Sequence, residues 1–312
     1  MEILVGHTGF VGSNIASEHR FDLYCNSKNI TEAYGTHPDL LVYAGVPAEM
    51  FLANRDPDAD RNVTRLAAEN IQKINPERLV LISTIAVLDN PIKVDETVSI
   101  DQTRLSAYGL NRLELELSVT EIVQDHHIVR LPALFGQGIK KNFIYDMINF
   151  FPALLSQAKY EELSRQEPII SRCYSLQNNG FYKLELTEAD RIPLKSALTR
   201  VGFSALNFTD SRAVFQFYNL AHLWGHIETI VKCGIPLFHA ATEPISAGEV
   251  YEHIYGTTFV NEISEHPLKY DFRTMYSDQM GGRNGYILDA QHVLDEITGF
   301  IKQAVSATHQ ER

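Results

Sequence analysis

Short apolar runs alternate with longer amphipathic stretches through the first half of the chain. Residues 3–5, 23–25, 40–44, 79–83 and 127–131 are nearly continuous in apolar side chains and read as strands buried on both faces. Between them, residues 11–18, 60–74 and 107–123 carry the three-to-four spacing of helices that cover one face. Strands alternating with helices predict βαβ units and a parallel sheet, an α/β fold. From 151 to 211 the pattern loosens. Strands are hard to place there, and Asn178-Asn179-Gly180 and Arg191-Ile192-Pro193 read as turns. The pattern resumes with a helix over 218–231, a strand over 237–240, and helices over 247–255 and 290–305. The aromatic cluster Phe215-Gln216-Phe217-Tyr218 reads as core packing.

Composition narrows the functional classes. The chain has 312 residues, with 45% hydrophobic and 21% charged side chains, the balance of a globular protein of one large or two unequal domains. A net charge of −12 argues against a nucleic-acid groove or a polybasic membrane contact, since either needs a local excess of Lys and Arg. No run approaches the ~18 apolar residues of a membrane span. The opening Met1-Glu2-Ile3-Leu4-Val5 enters a strand without a secretory pattern, and Cys25, Cys173 and Cys233 fit neither a zinc nor a redox spacing. A cytoplasmic protein is expected.

The most informative stretch is Gly6-His7-Thr8-Gly9-Phe10-Val11-Gly12, directly between a strand and a helix. Glycines allow a sharp turn whose backbone approaches a pyrophosphate, and the helix start directs N–H groups and partial positive charge at it. Gly6, Thr8, Gly9, Phe10, Val11 and Gly12 are therefore expected to hold a dinucleotide. An acidic residue at the end of the second strand would select NAD. Here that strand ends in Tyr24-Cys25-Asn26-Ser27-Lys28, so Asn26, Ser27 and Lys28 favour the extra phosphate of NADP, with NAD the alternative.

These segments resemble the extended short-chain dehydrogenase/reductase family of nucleotide-sugar epimerases, dehydratases and reductases. The likeness rests on the glycine spacing, on 39–45 as a third strand and turn, on Asn62-Val63-Thr64, on Arg130-Leu131-Pro132-Ala133-Leu134-Phe135-Gly136, and on Glu243-Pro244-Ile245-Ser246. It implies a Rossmann-type doubly wound parallel sheet with a smaller, irregular C-terminal substrate domain. The expected boundaries are 1–150, also receiving about 212–242, for the dinucleotide domain, and 151–211 with 243–312 for the substrate region. It further places Ala44, Gly45, Val46, Asn62, Ser83, Pro132 and Leu134 beside the cofactor, and implies a nucleotide-sugar substrate and a homodimer through the helix bearing Tyr108 and its neighbour.

By position, Thr84 resembles the family's catalytic hydroxyl and Tyr108 its acid/base. Arg112 stands where the family has lysine. Residues four apart share a helix face, so this cation is expected beside the phenol, lowering its pKa from about 10 and reaching ribose hydroxyls. A guanidinium keeps the charge but does not release a proton. Two readings follow: an NAD(P)-dependent epimerase, dehydratase or reductase working through Thr84, Tyr108 and Arg112, or an NADP(H)-binding regulatory or scaffold protein without catalysis. Lys140, Lys141 and Asn142 read equally as a diphosphate contact or a solvated turn, with Arg273 and Arg283 as more distant candidates. His222 and His226 lie four apart without an evident third ligand, so they read as helix surface and no metal is expected.

Overall fold

The structure, a computed structural model, describes residues 1–310. Its contacts divide the chain into two units. The first comprises Met1–Ile139, Val214–Ile245 and Lys269–Glu296; the second comprises Lys140–Ala213, Ser246–Leu268 and the chain from Ile297 onward.

The first unit is built on a six-stranded sheet. Its strands are β1 (Glu2–Val5), β2 (Leu23–Cys25), β3 (Leu40–Tyr43), β4 (Arg78–Thr84), β5 (Asp125–Leu131) and the strand Leu237–His239. They run in the order β2-β1-β3-β4-β5 with Leu237–His239 outside β5, and every pairing is parallel. Alternation along the strands sends side chains to two cores. Leu4, Val42, Val80 and Val129 pack with Ile15 of helix α1 (Phe10–Glu18) and with Leu223, Ile227 and Ile230 of the helix Leu223–Cys233. Ile3, Val5, Leu41, Leu79 and Leu81 face the other way, against Ala67 and Ile71 of helix α3 (Pro57–Ile74) and Leu115 and Val119 of helix α4 (Ala107–Ile122); the short helix α2 is Met50–Arg55. The chain leaves β1 for β2 on one side and crosses to β3 on the other. The sheet therefore changes direction between β1 and β3, where ligands of such folds bind beyond the carboxyl ends of the strands.

The second unit has its own core of Leu155, Leu163, Ile170, Tyr174, Leu194 and Leu198. Three short antiparallel strands, Leu154–Leu155, Tyr174–Leu176 and Tyr182–Leu184, lie in the irregular stretch where none could be placed from sequence. Asn178-Asn179-Gly180 is the expected turn, with Gly180 at φ +83° between the last two strands. Arg191-Ile192-Pro193 is not a turn. It lies inside the helix Glu188–Arg200, capped by Thr187, whose side chain accepts from Asp190 N. Pro193 stands in the second turn, where it forgoes one backbone hydrogen bond, and the helix capped by Thr187 runs on through it. No helix among the described residues is long and apolar enough to cross a membrane.

Candidate active site

The glycine turn joins β1 to α1 at the point where the sheet changes direction. Gly6 takes φ +93°, and a Cβ there would lie 2.5 Å from the Ala44 carbonyl carbon at the end of β3. A Cβ on Gly12 would lie 2.1 Å from the Gly6 carbonyl oxygen. Both positions thus require glycine for the turn to close against itself and against Ala44-Gly45. Gly9 is different: it has φ −82° and is the N-cap of α1, yet it offers no side-chain cap to the helix. The start of α1 keeps its N–H groups and partial positive charge for an anion, so the turn fits a pyrophosphate. Thr8 is exposed, while Phe10 and Val11 are half-buried. At the end of β2, Asn26 Oδ1 accepts from Lys28 N at 2.9 Å, leaving Ser27 and Lys28 exposed on a fixed turn. Ala44 and Val46 are half-buried and Gly45 is exposed.

Helix α4 brings the second group of residues together. Ser106 caps it through Gly109 N, and a Cβ on Gly109 would lie 2.2 Å from the Ala86 carbonyl oxygen. The bare glycine lets the first turn of α4 lie against the segment that follows β4. There the Thr84 side chain lies beside the Tyr108 phenol, and the Arg112 guanidinium carbon sits 4.5 Å from the centre of the Tyr108 ring. The expected depression of the phenol's pKa does not occur. Burial raises it, and the opposing pull of Arg112 and of Thr84 does not offset burial.

Asp60 of α3 weakens that pull and also occupies Arg112. Arg112 donates to both Asp60 oxygens, at 2.9 and 3.0 Å, and Nη2 donates to the Pro47 carbonyl at 2.7 Å. Asn111 adds a bond to Asp60 at 2.8 Å. Arg112 is buried and Asp60 half-buried, with 5% and 11% of their side chains exposed.

A second buried network lies across β4, β5 and the strand Leu237–His239. Glu116 of α4 accepts from Arg130 Nε and Nη2, and from the Ser83 hydroxyl at 2.5 Å. Arg130 Nη1 lies 3.2 Å from His239 Nε2, and His239 Nδ1 lies 2.9 Å from the Arg273 carbonyl. Burial, with Arg130 beside it, pushes His239 down to about 4, so the ring is neutral and takes a proton-accepting role toward Arg130. Ser83 is thus held by Glu116. Asn62 is exposed on α3, and Pro132 and Leu134 are half-buried after β5. Lys140 and Lys141 are exposed and belong to the second unit. Arg283 lies 3.7 Å from Asp289. With Glu243, Asn284, Tyr286 and His292 these two residues line a cavity of about 510 Å³ in the first unit. His226 is not helix surface: it is half-buried, with Nδ1 2.6 Å from the buried Tyr218 hydroxyl. Asp60 and Glu116, the two carboxylates that organise these networks, were missed from sequence, where neither stands at a motif position.

Residues 3–155 match the family described as the RmlD substrate binding domain. That stretch, just under half of the chain, is similar to this family. Over the rest of the chain the likeness is one of fold, and the resemblance to extended short-chain dehydrogenase/reductases holds. The dTDP-4-dehydrorhamnose reductase from Bacillus anthracis str. Ames, in complex with NADP, is 17% identical, covers 96% of this chain and 97% of its own, and has a TM-score of 0.62. A UDP-N-acetylglucosamine 4-epimerase from Methanobrevibacter ruminantium M1, in complex with UDP-N-acetylmuramic acid, is 12% identical over 98% of both chains, with a TM-score of 0.63. TunA, an NAD-dependent NDP-hexosamine 5,6-dehydratase, is 14% identical over 100% of this chain and 98% of its own, with a TM-score of 0.59. No curated protein sequence matches.

Proposed function

We propose that this chain is an NADPH-dependent reductase of a keto sugar carried on a nucleoside diphosphate, with Tyr108 as the proton donor. The choice of reduction within the family is supported by Tyr108, whose phenol burial raises above its ordinary value with Thr84 beside it, a group better suited to start as a proton donor than as a base. Reducing a carbonyl adds a hydride to carbon and a proton to oxygen. The bound dinucleotide would supply the hydride. Tyr108 would release its O–H proton to the substrate oxygen as the carbonyl π electrons collect there, and Thr84 would orient that oxygen by a hydrogen bond. Arg112, stacked on the ring, then stabilises the phenolate left behind. The reverse direction needs Tyr108 as a base, which a raised phenol pKa disfavours.

The cofactor choice is supported by Asn26, Ser27 and Lys28, which place hydrogen-bonding groups and a cation, and no carboxylate, at the end of β2. The substrate class is supported by the neighbours, which include a reductase bound to NADP and an epimerase bound to a UDP-sugar. A cytoplasmic homodimer through α3 and α4 belongs to the same reading: Leu66 and Leu117 on these helices are 52% and 50% exposed. A second reading is favoured by the bonds of Arg112 to Asp60 and Pro47, which tie up the residue that would reach the ribose. On that reading the chain binds NADPH and does no chemistry.

The test is a fluorescence titration with NADPH and with NADH, followed by NADPH oxidation with a panel of dTDP- and UDP-linked keto sugars. We expect tighter binding of NADPH, turnover with at least one substrate, and a loss of about 10²–10⁴-fold in kcat for Tyr108→Phe. Binding without turnover would favour the second reading. Failure to bind either dinucleotide would overturn both.

A further inference from the structure

A cluster on the first unit, apart from Thr84, Tyr108 and Arg112, has the make-up of a metal site. Its parts come from two elements. His222 ends the short turn Leu220–His222 that leads into the helix Leu223–Cys233. His292 and Glu296 lie four apart on the C-terminal helix Ala290–Gln310, and so on one helix face. His222 Nε2 is 2.5 Å and His292 Nε2 is 3.6 Å from the same oxygen, Glu296 Oε1. All three ligand atoms lie within 4.8 Å of one another. The other carboxylate oxygen, Glu296 Oε2, is buried and has no hydrogen-bond partner, an expensive state for a charged group.

We infer that His222, His292 and Glu296 form a binding site for a zinc-class divalent ion. Two imidazoles and a carboxylate are a donor set that suits zinc, whereas magnesium and calcium prefer sites made of oxygen alone. Zinc bonds of about 2.0–2.2 Å at tetrahedral angles separate ligand atoms by roughly 3.3–3.6 Å. The His292–Glu296 distance already has this value, and the His222–Glu296 pair needs to open by roughly 1 Å. The fourth position falls to water or to the second carboxylate oxygen. His292 also lines the cavity of about 510 Å³, which gives the ion a path to the site. The neighbouring His226 is not among the converging groups, and its Nδ1 lies 2.6 Å from the Tyr218 hydroxyl. The ion would clip the turn before Leu223–Cys233 to the start of the C-terminal helix. It is a structural site, independent of the proposed reductase chemistry.

The experiment uses the full chain without a polyhistidine tag. Isothermal titration with zinc chloride, and the visible spectrum of the cobalt(II)-loaded protein, report stoichiometry and geometry. The expected result is one ion per chain, four-coordinate cobalt bands, and a rise in Tm on adding zinc. Glu296→Gln and His292→Gln should each weaken binding by at least about 10- to 100-fold and abolish the Tm rise. His266→Ala, at an exposed histidine outside the cluster, should change neither. His292 is 55% exposed, so its replacement leaves the fold intact even should Glu296→Gln disturb it. Absence of zinc binding by the parent chain would overturn the assignment. So would an affinity unchanged in both variants, which would reduce the cluster to a His–Glu ion pair.

Discussion

Asp60 decides what Arg112 can do. A guanidinium four residues after a tyrosine looks, in sequence, like a cation free to acidify the phenol and reach a ribose. In the fold its charge is already matched by a carboxylate 52 residues earlier, and burial of the ring raises the phenol's pKa. The sign of that shift could not be read from spacing, because spacing shows the neighbour on the same helix and not the partner on α3 or the loss of water. Spacing did place the guanidinium on the phenol's side of the helix, 4.5 Å from the ring centre. The pair itself is testable. Asp60→Asn keeps the shape but leaves a buried guanidinium without its counter-ion, which typically costs about 3–5 kcal/mol. Urea denaturation should register a loss of that order. A loss under about 1 kcal/mol would mean that Arg112 turns to solvent or to another acceptor, and that the pair is not what fixes it.

Among elements, the strands and helices of the first unit were legible because their apolar spacing is regular, and the glycine turn because Gly6, Gly9 and Gly12 stand at a fixed spacing between β1 and α1. The second unit was less legible. Its strands are two or three residues long, too short for alternation to stand out, and Pro193 disguised a helix whose cap at Thr187 was the better signal. Gly109 lies between these cases. As a glycine inside a helix it would ordinarily be improved by alanine, by up to about 1 kcal/mol. Here the packing of α4 reverses the sign, because the added methyl would sit 2.2 Å from the Ala86 carbonyl oxygen and backbone must move. Gly109→Ala should therefore lower Tm and pull Tyr108 away from Thr84, reducing kcat by more than it changes the affinity for NADPH. An alanine variant as stable as the parent would show that α4 does not depend on this close approach.

For the whole molecule, the response to acid is a contest between groups held in the wrong protonation state for their ordinary pKa. His226 and His239 are both pushed down to about 4, chiefly by burial. The unfolded chain takes up their protons from about pH 6.5 downward while the folded chain does not, so each contributes stability above 6.5 that fades as pH falls toward 4, roughly 3 kcal/mol apiece. Asp146, in the second unit, works in the opposite sense. Burial raises its carboxyl to about 7, so at higher pH the folded state holds a buried charge that the unfolded state would hydrate. Between pH 7 and 3.8 the folded state protonates first and that penalty disappears. Asp146→Asn removes the charge at every pH. It should therefore raise stability at pH 8, by up to roughly 4 kcal/mol, and give no gain near pH 4. The variant should also lose stability more steeply on acidification, since one of the groups that oppose the two histidines is then gone. Calorimetry of parent and variant at pH 8, 6 and 4.5 separates the terms. A gain that is the same at all three values would place its origin in packing rather than in charge, and no gain at pH 8 would mean that water or a partner group already reaches the carboxylate.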